Sequence, residues 1–318
     1  MSELQRPIFV VGCPRSGTTL VQCILSASSH AFSLPETHFF SYVLPGLGGD
    51  PDRALDTSSL QSAREALESE ADLPPLPEVW ASLHARAHVR ALDIFVAIVE
   101  HYRPEGGAPL RAIEKTPRHV LHMDTIRQCF PDARFVNVVR DPVDVASSLL
   151  GVPFESSRSV VSHAQRWTES VLAARTFGAY TIQYERLIQQ PESTTRQLCA
   201  FVDLTFEPAM LEEFGREAKR NVSRAEAWKG DVGRGVLLNR QGVWRERMSP
   251  GQAWLVAQAA HRLRAEMGYR QTPAASAGSI ARAMLGEFRV RFREARASTN
   301  LVGAARHAGS VLKALAPA

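Results

Sequence analysis

The sequence predicts an α/β fold: a P-loop-like three-layer sandwich with a central parallel sheet and helices on both faces, plus a C-terminal helical tail. Three observations predict it. The apolar run Ile8-Phe9-Val10-Val11 leads into Gly12-Cys13-Pro14-Arg15-Ser16-Gly17 and then into Leu20, Val21, Ile24 and Leu25 at helical spacing, a strand, tight turn and helix in succession. A second strand pattern, Arg134 to Val139, runs into Arg140-Asp141-Pro142 and another helical pattern. Short strands then alternate with longer helical segments, the order expected of a parallel sheet.

The elements follow in order. Residues 7–30 hold the first strand, loop and helix, and Ala31 to Pro35 reads as a short strand. Residues 45–78 are rich in Gly, Pro, Ser, Asp and Glu, with one helix near Ser59 to Glu70 and punctuation at Pro74-Pro75-Leu76-Pro77. Val79, Leu83, Ala87, Leu92, Phe95, Val96 and Val99 predict a helix over 78–102. Arg111 to Glu114 reads as a strand, and Thr116-Pro117 opens a helix to about Phe130, with Thr as cap and Pro in the first turn. Asp141-Pro142 caps the helix after the Arg134–Val139 strand. Helices are expected over 157–177, 191–202, 208–219 and 249–267, with a strand over 179–184. Residues 1–273 form the α/β domain, with about 40–110 read as an insertion in it. Residues 274–318 form a basic tail, with Arg282, Arg289, Arg291, Arg293, Arg296, Arg306 and Lys313 against Glu287 and Glu294. It reads as one or two amphipathic helices, packed on the domain or a homodimer mate, or touching an anionic membrane surface.

Composition narrows the class. The chain has 318 residues, 45% hydrophobic and 22% charged, as in ordinary globular proteins. A formal net charge of +4 favours anionic ligands without arguing for nucleic acid. No apolar run approaches the roughly 18 residues of a membrane span. Ile8 to Val11 is too short for a signal peptide, so a cytoplasmic protein is expected. Cys13, Cys23, Cys129 and Cys199 are dispersed, without metal-ligand spacing, and are expected to be reduced thiols.

A strand feeding a glycine loop at a helix N-terminus is an anion site, because free backbone N–H groups and the helix dipole converge there. The glycine spacing matches the Walker loop, but Thr18 stands at the lysine position and the cation sits earlier, at Arg15. The loop therefore suits a phosphate-like anion without the kinase arrangement of lysine and magnesium. Gly12-Cys13-Pro14-Arg15-Ser16-Gly17-Thr18-Thr19 after a strand resembles the 5′-phosphosulfate-binding loop of sulfotransferases that use 3′-phosphoadenosine 5′-phosphosulfate (PAPS). The resemblance assigns Arg15, Ser16, Gly17, Thr18 and Thr19 to the 5′-phosphosulfate. It covers roughly residues 6–270 and implies an enzyme of bacterial type moving a sulfuryl group to a hydroxyl acceptor, with PAPS as co-substrate and no metal.

Five further segments extend it. Val139-Arg140-Asp141-Pro142 with Ser148 eight residues after Arg140 resembles the family's strand, Arg-Asp-Pro and Ser pattern, whose Arg and Ser hold the 3′-phosphate. By itself it reads equally as a capped helix with Arg140 on Asp144. Glu114-Lys115-Thr116-Pro117 is similar to a segment of tyrosylprotein and bacterial sulfotransferases whose lysine lies near the transferring sulfonate. Leu34-Pro35-Glu36-Thr37-His38 resembles a segment of the tyrosylprotein enzymes whose glutamate is the general base; His38 is the competitor for that role. Gln183-Tyr184-Glu185-Arg186-Leu187 resembles a strand end whose tyrosine lies near the nucleotide, though a core aromatic is an equal reading. Gly242-Val243-Trp244-Arg245 resembles a C-terminal segment of the bacterial enzymes; Val243 replaces the lysine of the tyrosylprotein enzymes, and Arg240, Arg245 and Arg247 remain unassigned alternatives. His84, His88 and His101 read as surface or core histidines. The rivals are a P-loop kinase, opposed by Thr18 and the absence of a Walker-B acid, and a nucleotide-binding scaffold, opposed by Glu36 and Lys115. The acceptor, whether sugar, phenol, peptide, lipid or secondary metabolite, stays open.

Overall fold

The computed structural model describes residues 6–70, 73–105, 110–152, 155, 157–215 and 240–297. In chain order the elements are β1 (Ile8–Gly12), α1 (Thr18–Ser26), β2 (Ala31–Ser33), a π-helical turn (Phe39–Val43), α2 (Thr57–Glu70), α3 (Pro77–His84), α4 (Ala91–Tyr102) and β3 (Arg111–Glu114). A 3-10 turn (Pro117–Leu121), α5 (Met123–Cys129), β4 (Arg134–Val139), α6 (Pro142–Leu150), α7 (Val160–Phe177), β5 (Tyr180–Gln183), α8 (Tyr184–Gln189), α9 (Pro191–Val202) and α10 (Ala209–Glu212) follow. A second 3-10 turn (Val243–Glu246) precedes α11 (Pro250–Ala259), α12 (His261–Glu266) and α13 (Ala277–Ala297). The chain forms two compact units, Met1–Gly12 with Gly17–Val139 and Ala173–Leu238, and Cys13–Ser16 with Arg140–Leu172 and Asn239–Ala318.

The first unit holds the sheet. Its five strands are all parallel, in the order β2-β3-β1-β4-β5. All five residues of β1 are buried, which explains its unbroken apolar run. Alternation sends Phe9, Val11, Phe32, Ala112 and Phe135 into one core and Ile8, Val10, Ala31, Ile113, Val136 and Val138 into the other. The first core is aromatic, with Phe9 stacked on Phe135 and Phe95 and edge-on to Phe40. The second packs β1, β3 and β4 against Val21, Ile24 and Leu25 of α1 and Leu198 and Val202 of α9. This is the α/β sandwich that the sequence predicts.

Several helices differ from their expected extent, and the expected 249–267 helix is two, α11 and α12. The 78–102 segment is two helices, α3 and α4. Between them Val89 and Arg90 are extended: the Val89 carbonyl accepts from Leu55 N–H at 2.8 Å, and Ala54 bridges Arg90. The Asp93 carboxylate accepts the Arg90 N–H at 2.8 Å and so starts α4 afresh. The 117–130 segment begins as a tight 3-10 turn and restarts as α5 after His122, whose φ of −125° is not helical. The tight turn carries His119 inward, where it is fully buried. The α10 helix covers part of the expected 208–219 helix, whose residues 216–219 lie outside the described residues.

In the second unit α7 begins at Val160, later than expected, because α13 caps it. Glu287 accepts from Ser159 Oγ and from Val160 N–H (3.1 Å), and Glu294 accepts from Arg158 N–H (2.8 Å) and Ser157 Oγ (3.1 Å). Carboxylates at a helix N-terminus satisfy its orphan donors and oppose its dipole. Gly251 lets α11 and α13 touch: a Cβ there would lie 2.2 Å from the Ser279 carbonyl oxygen. Both acids of α13 are thus engaged inward, while Arg282, Arg289, Arg293 and Arg296 are exposed beside Phe288 and Phe292. Residues 298–318, with Arg306 and Lys313 of the expected tail, lie outside the described residues. No helix of the described residues is long and apolar enough to cross a membrane.

His163 on α7 is fully buried, and burial pushes its pKa down to about 4, with Glu155 opposing and Arg166 and Arg158 adding to the fall. The folded protein holds this ring neutral, while the unfolded chain protonates it near 6.5. Its contribution is therefore complete above about pH 6.5 and is lost as pH falls toward 4. Thermal unfolding followed across that range is expected to show a shallower acid loss in His163→Gln than in the wild type, by up to about 1.4 kcal/mol per unit of pH.

Candidate active site

In the first unit β1 ends at Gly12 and α1 starts after Gly17. Gly12 has φ 141°, and a Cβ there would meet the Val138 carbonyl oxygen at 2.6 Å. Gly17, with φ 100°, is the N-cap of α1, and a Cβ there would lie 2.7 Å from the Tyr184 ring. Tyr184 is therefore packed directly against the start of the helix that Thr18 and Thr19 open. It also belongs to the second core, the position that the core-aromatic reading describes.

The segment after β2 carries Glu36. Gln22 of α1 donates to the Leu34 carbonyl at 2.9 Å and ties this segment to the helix. The Glu36 carboxylate forms an ion pair with Lys115 Nζ, at the end of β3. Lys115 is 2% exposed. His38 Nε2 lies 3.5 Å from the other Glu36 oxygen. Burial holds the His38 imidazole below the usual histidine range, outweighing the raising effect of Glu36. Thus Glu36 and His38 of one segment and Lys115 of another, 79 positions from Glu36, converge at one place in the first unit.

In the second unit Arg15 adopts φ 72°, and its Nε donates to Ser148 Oγ at 3.0 Å. Ser16 N–H donates to the Cys13 carbonyl at 3.2 Å, closing the turn. The Ser16 hydroxyl is buried with no hydrogen-bond partner among the described residues. Arg140, 7% exposed, donates to the Arg240 carbonyl, and its own carbonyl accepts from Trp167 Nε1 at 2.9 Å. Asp144 lies 3.9 Å from Arg140 and accepts the N–H groups of Gly242 (2.9 Å) and Trp244 (3.1 Å). Burial raises the Asp144 pKa above the usual carboxylate range, with Arg140 and the two amides opposing. Burial pushes the Cys13 thiol up to about 12, so this loop cysteine stays a protonated, unreactive thiol.

Two roles escaped the sequence reading. Asp144 anchors Gly242 and Trp244, and the Asp at that place after Arg-Asp-Pro was the available signal. Glu114 gathers Thr37, Thr116 and His119 in the first unit; nothing in the sequence shows that residues 77 positions apart meet. Of the other basic residues near Trp244, Arg245 lies over its ring at 4.5 Å, and Arg247 packs on Gly151, whose added Cβ would meet it at 2.6 Å. His84 and His88 are exposed, and His101 faces Glu78 at 3.8 Å.

Residues 7–208 match the Sulfotransferase family. The chain belongs to that family. Among its relatives is a putative protein-tyrosine sulfotransferase of Caenorhabditis briggsae, 25% identical over 66% of this chain and 70% of that protein. The protein-tyrosine sulfotransferase of Drosophila melanogaster is 27% identical over 74% of this chain and 46% of its own length. An uncharacterized Aquifex aeolicus protein is 26% identical over 76% of this chain and 30% of its own length, so the chain spans less than half of two of these three relatives. The solved sulfotransferase domain of the curacin biosynthetic pathway superposes with a TM-score of 0.56 over 84% of this chain and 99% of that one, at 19% identity, which marks a shared fold.

Gly17→Ala is expected to be destabilising by about 1–3 kcal/mol, because the new methyl group meets both an unfavourable φ and the Tyr184 ring. Urea unfolding checks it. A Gly17→Ala protein as stable as wild type would mean that Tyr184 does not press on the loop.

Proposed function

We propose that this protein transfers the sulfuryl group of PAPS to a hydroxyl acceptor, with Glu36 as general base and Lys115 and Arg15 as the cations of the reacting centre. The observation that carries the reading is the ion pair of buried Lys115 with half-buried Glu36, on the segment that α1 holds through Gln22. A buried charge pair is costly to maintain for stability alone and is common where chemistry needs it. The loop fits a phosphosulfate: Ser16 Oγ is buried without a hydrogen-bond partner among the described residues. Ser16, Gly17, Thr18 and Thr19 would donate to the 5′-phosphosulfate, Arg140 and Ser148 to the 3′-phosphate, and Tyr184 would face the nucleotide. We place the enzyme in the cytoplasm of a bacterium. Family relatives named for protein tyrosine make a phenolic hydroxyl the first acceptor to try.

The chemistry follows from these roles. Glu36 takes the proton of the acceptor hydroxyl as its oxygen bonds to sulfur. The bond from sulfur to the phosphate oxygen breaks, and adenosine 3′,5′-bisphosphate leaves with the electron pair. Lys115 and Arg15 neutralise charge developing on that bridging oxygen and on the sulfonate, where fixed cations act most strongly. His38 holds the second Glu36 oxygen.

Transfer of labelled sulfate from PAPS to a library of hydroxyl acceptors tests the function directly. Glu36→Gln is expected to lower turnover by about 10²–10⁴ with little change in nucleotide affinity, and His38→Asn to be milder. Near-normal turnover in Glu36→Gln with loss in His38→Asn would move the base to His38.

Arg140→Ala and Ser148→Ala are expected to weaken binding by about 1.5–3 kcal/mol for nucleotides carrying a 3′-phosphate, and by much less for those lacking it. Calorimetry with adenosine 3′,5′-bisphosphate and adenosine 5′-phosphate separates these outcomes. Equal losses for both nucleotides would refute the 3′-phosphate assignment.

A further inference from the structure

Glu114 precedes Lys115 in the chain and is 2% exposed, yet no step above uses it. Its Oε1 accepts from Thr116 Oγ1 at 2.6 Å, from Thr37 Oγ1 at 3.0 Å and from Thr37 N–H at 3.4 Å. Its Oε2 lies 2.9 Å from His119 Nδ1. The other ring nitrogen, Nε2, accepts the Phe40 N–H at 3.2 Å, so the ring hydrogen sits on Nδ1 and points at Glu114. Thr37, Thr116 and His119 are all 0% exposed. Burial alone would raise the Glu114 pKa, but His119, Thr116 and Thr37 hold it below the usual carboxylate range.

The network joins two segments distant in sequence, and its anchor points flank the reacting pair. Thr37 follows Glu36; Glu114 precedes Lys115. Thr116, which follows Lys115, also accepts the His38 N–H at 3.3 Å. His38 has φ 49°, a left-handed backbone uncommon outside glycine. Glutamate and lysine side chains have many rotamers, and an ion pair alone fixes neither backbone. We propose that Glu114 is a positioning residue: its buried carboxylate staples the Glu36 and Lys115 segments together and so holds that pair in one geometry. This inference rests on the proposed roles of Glu36 and Lys115.

A carboxylate is required because every partner donates. Glu114→Gln would turn an amide N–H toward His119 Nδ1. The ring would then have to move its hydrogen to Nε2, where it would oppose the Phe40 N–H. Misplacement of reacting groups by about 1 Å costs roughly 10²-fold. Glu114→Gln is therefore expected to lower kcat by about 10–100-fold, with nucleotide affinity within about twofold of wild type. Thr116→Ser, which keeps the hydroxyl, should retain wild-type turnover; Thr116→Val, which loses it, should follow Glu114→Gln.

Two measurements separate positioning from a general structural role. Adding Glu114→Gln to Glu36→Gln should cost no further turnover, since the pair acts as one element. A full additional loss would overturn the proposal, as would wild-type kcat in both Glu114→Gln and Thr116→Val. The second measurement is amine acylation of Lys115, followed by mass spectrometry under native conditions. Lys115 should be protected in the wild type and labelled at least tenfold faster in Glu114→Gln, or in Thr116→Val should the first variant not fold. Unchanged protection would overturn the proposal. A Glu36→Gln enzyme with normal turnover would instead sink the base assignment, and the labelling result would still decide the role of Glu114.

Discussion

The first unit is organised around charge taken out of water. Glu114 and Lys115 are each 2% exposed at the end of β3, and Glu36 is 12% exposed beside them. An isolated buried ion costs several kcal/mol, so each of these groups imposes a demand on its neighbours. Glu114 takes donors from Thr37, Thr116 and His119; Lys115 takes the Glu36 carboxylate. The path of the chain over 34–40, the left-handed backbone at His38 and the tight turn at 117–121 all follow from meeting that demand. The aromatic core of Phe9, Phe39, Phe40 and Phe95 closes around the same polar island and keeps water from competing with its hydrogen bonds.

A parallel sheet makes such an arrangement possible. Each strand ends on the same edge, where loops and helix starts present their donors. β1 delivers the glycine loop there, and β3 delivers Glu114 and Lys115. Register does the rest: Phe9 pairs with Glu114, so the strand that leads into the loop runs beside the strand that ends in the buried acid. In the second unit the same economy recurs with different groups. Asp144 is buried because Gly242 and Trp244 offer it backbone donors, and the Arg140 carbonyl is satisfied by Trp167.

Much of this was legible in the chain. Strands β1 and β4 announce themselves by runs of buried apolar residues, the loop by two glycines with backbone no other residue tolerates well, and α6 by Asp141 and Pro142 at its start. Those signals are local: each depends on a backbone preference or a periodicity contained within about ten residues. Glu36, Lys115, Arg15, Arg140 and Ser148 were selected by resemblance within short segments, and the fold brings Glu36 to Lys115 and Arg15 to Ser148.

What the sequence by itself determined, then, is the kind of fold, its parallel order of strands and helices, and a short roster of residues suited to an anionic ligand. Tertiary structure alone decided where helices break and which polar groups are sacrificed to the interior. The 78–102 segment has an unbroken helical pattern, yet Val89 and Arg90 are extended because distant backbone at 53–55 offers them hydrogen bonds. Glu114 is of a residue type that mostly stays at the surface, yet it is buried, because its donors come from Thr37 and His119 as well as from adjacent residues. Such outcomes turn on hydrogen bonds between residues far apart in the chain, and no local propensity encodes a partner that only folding supplies.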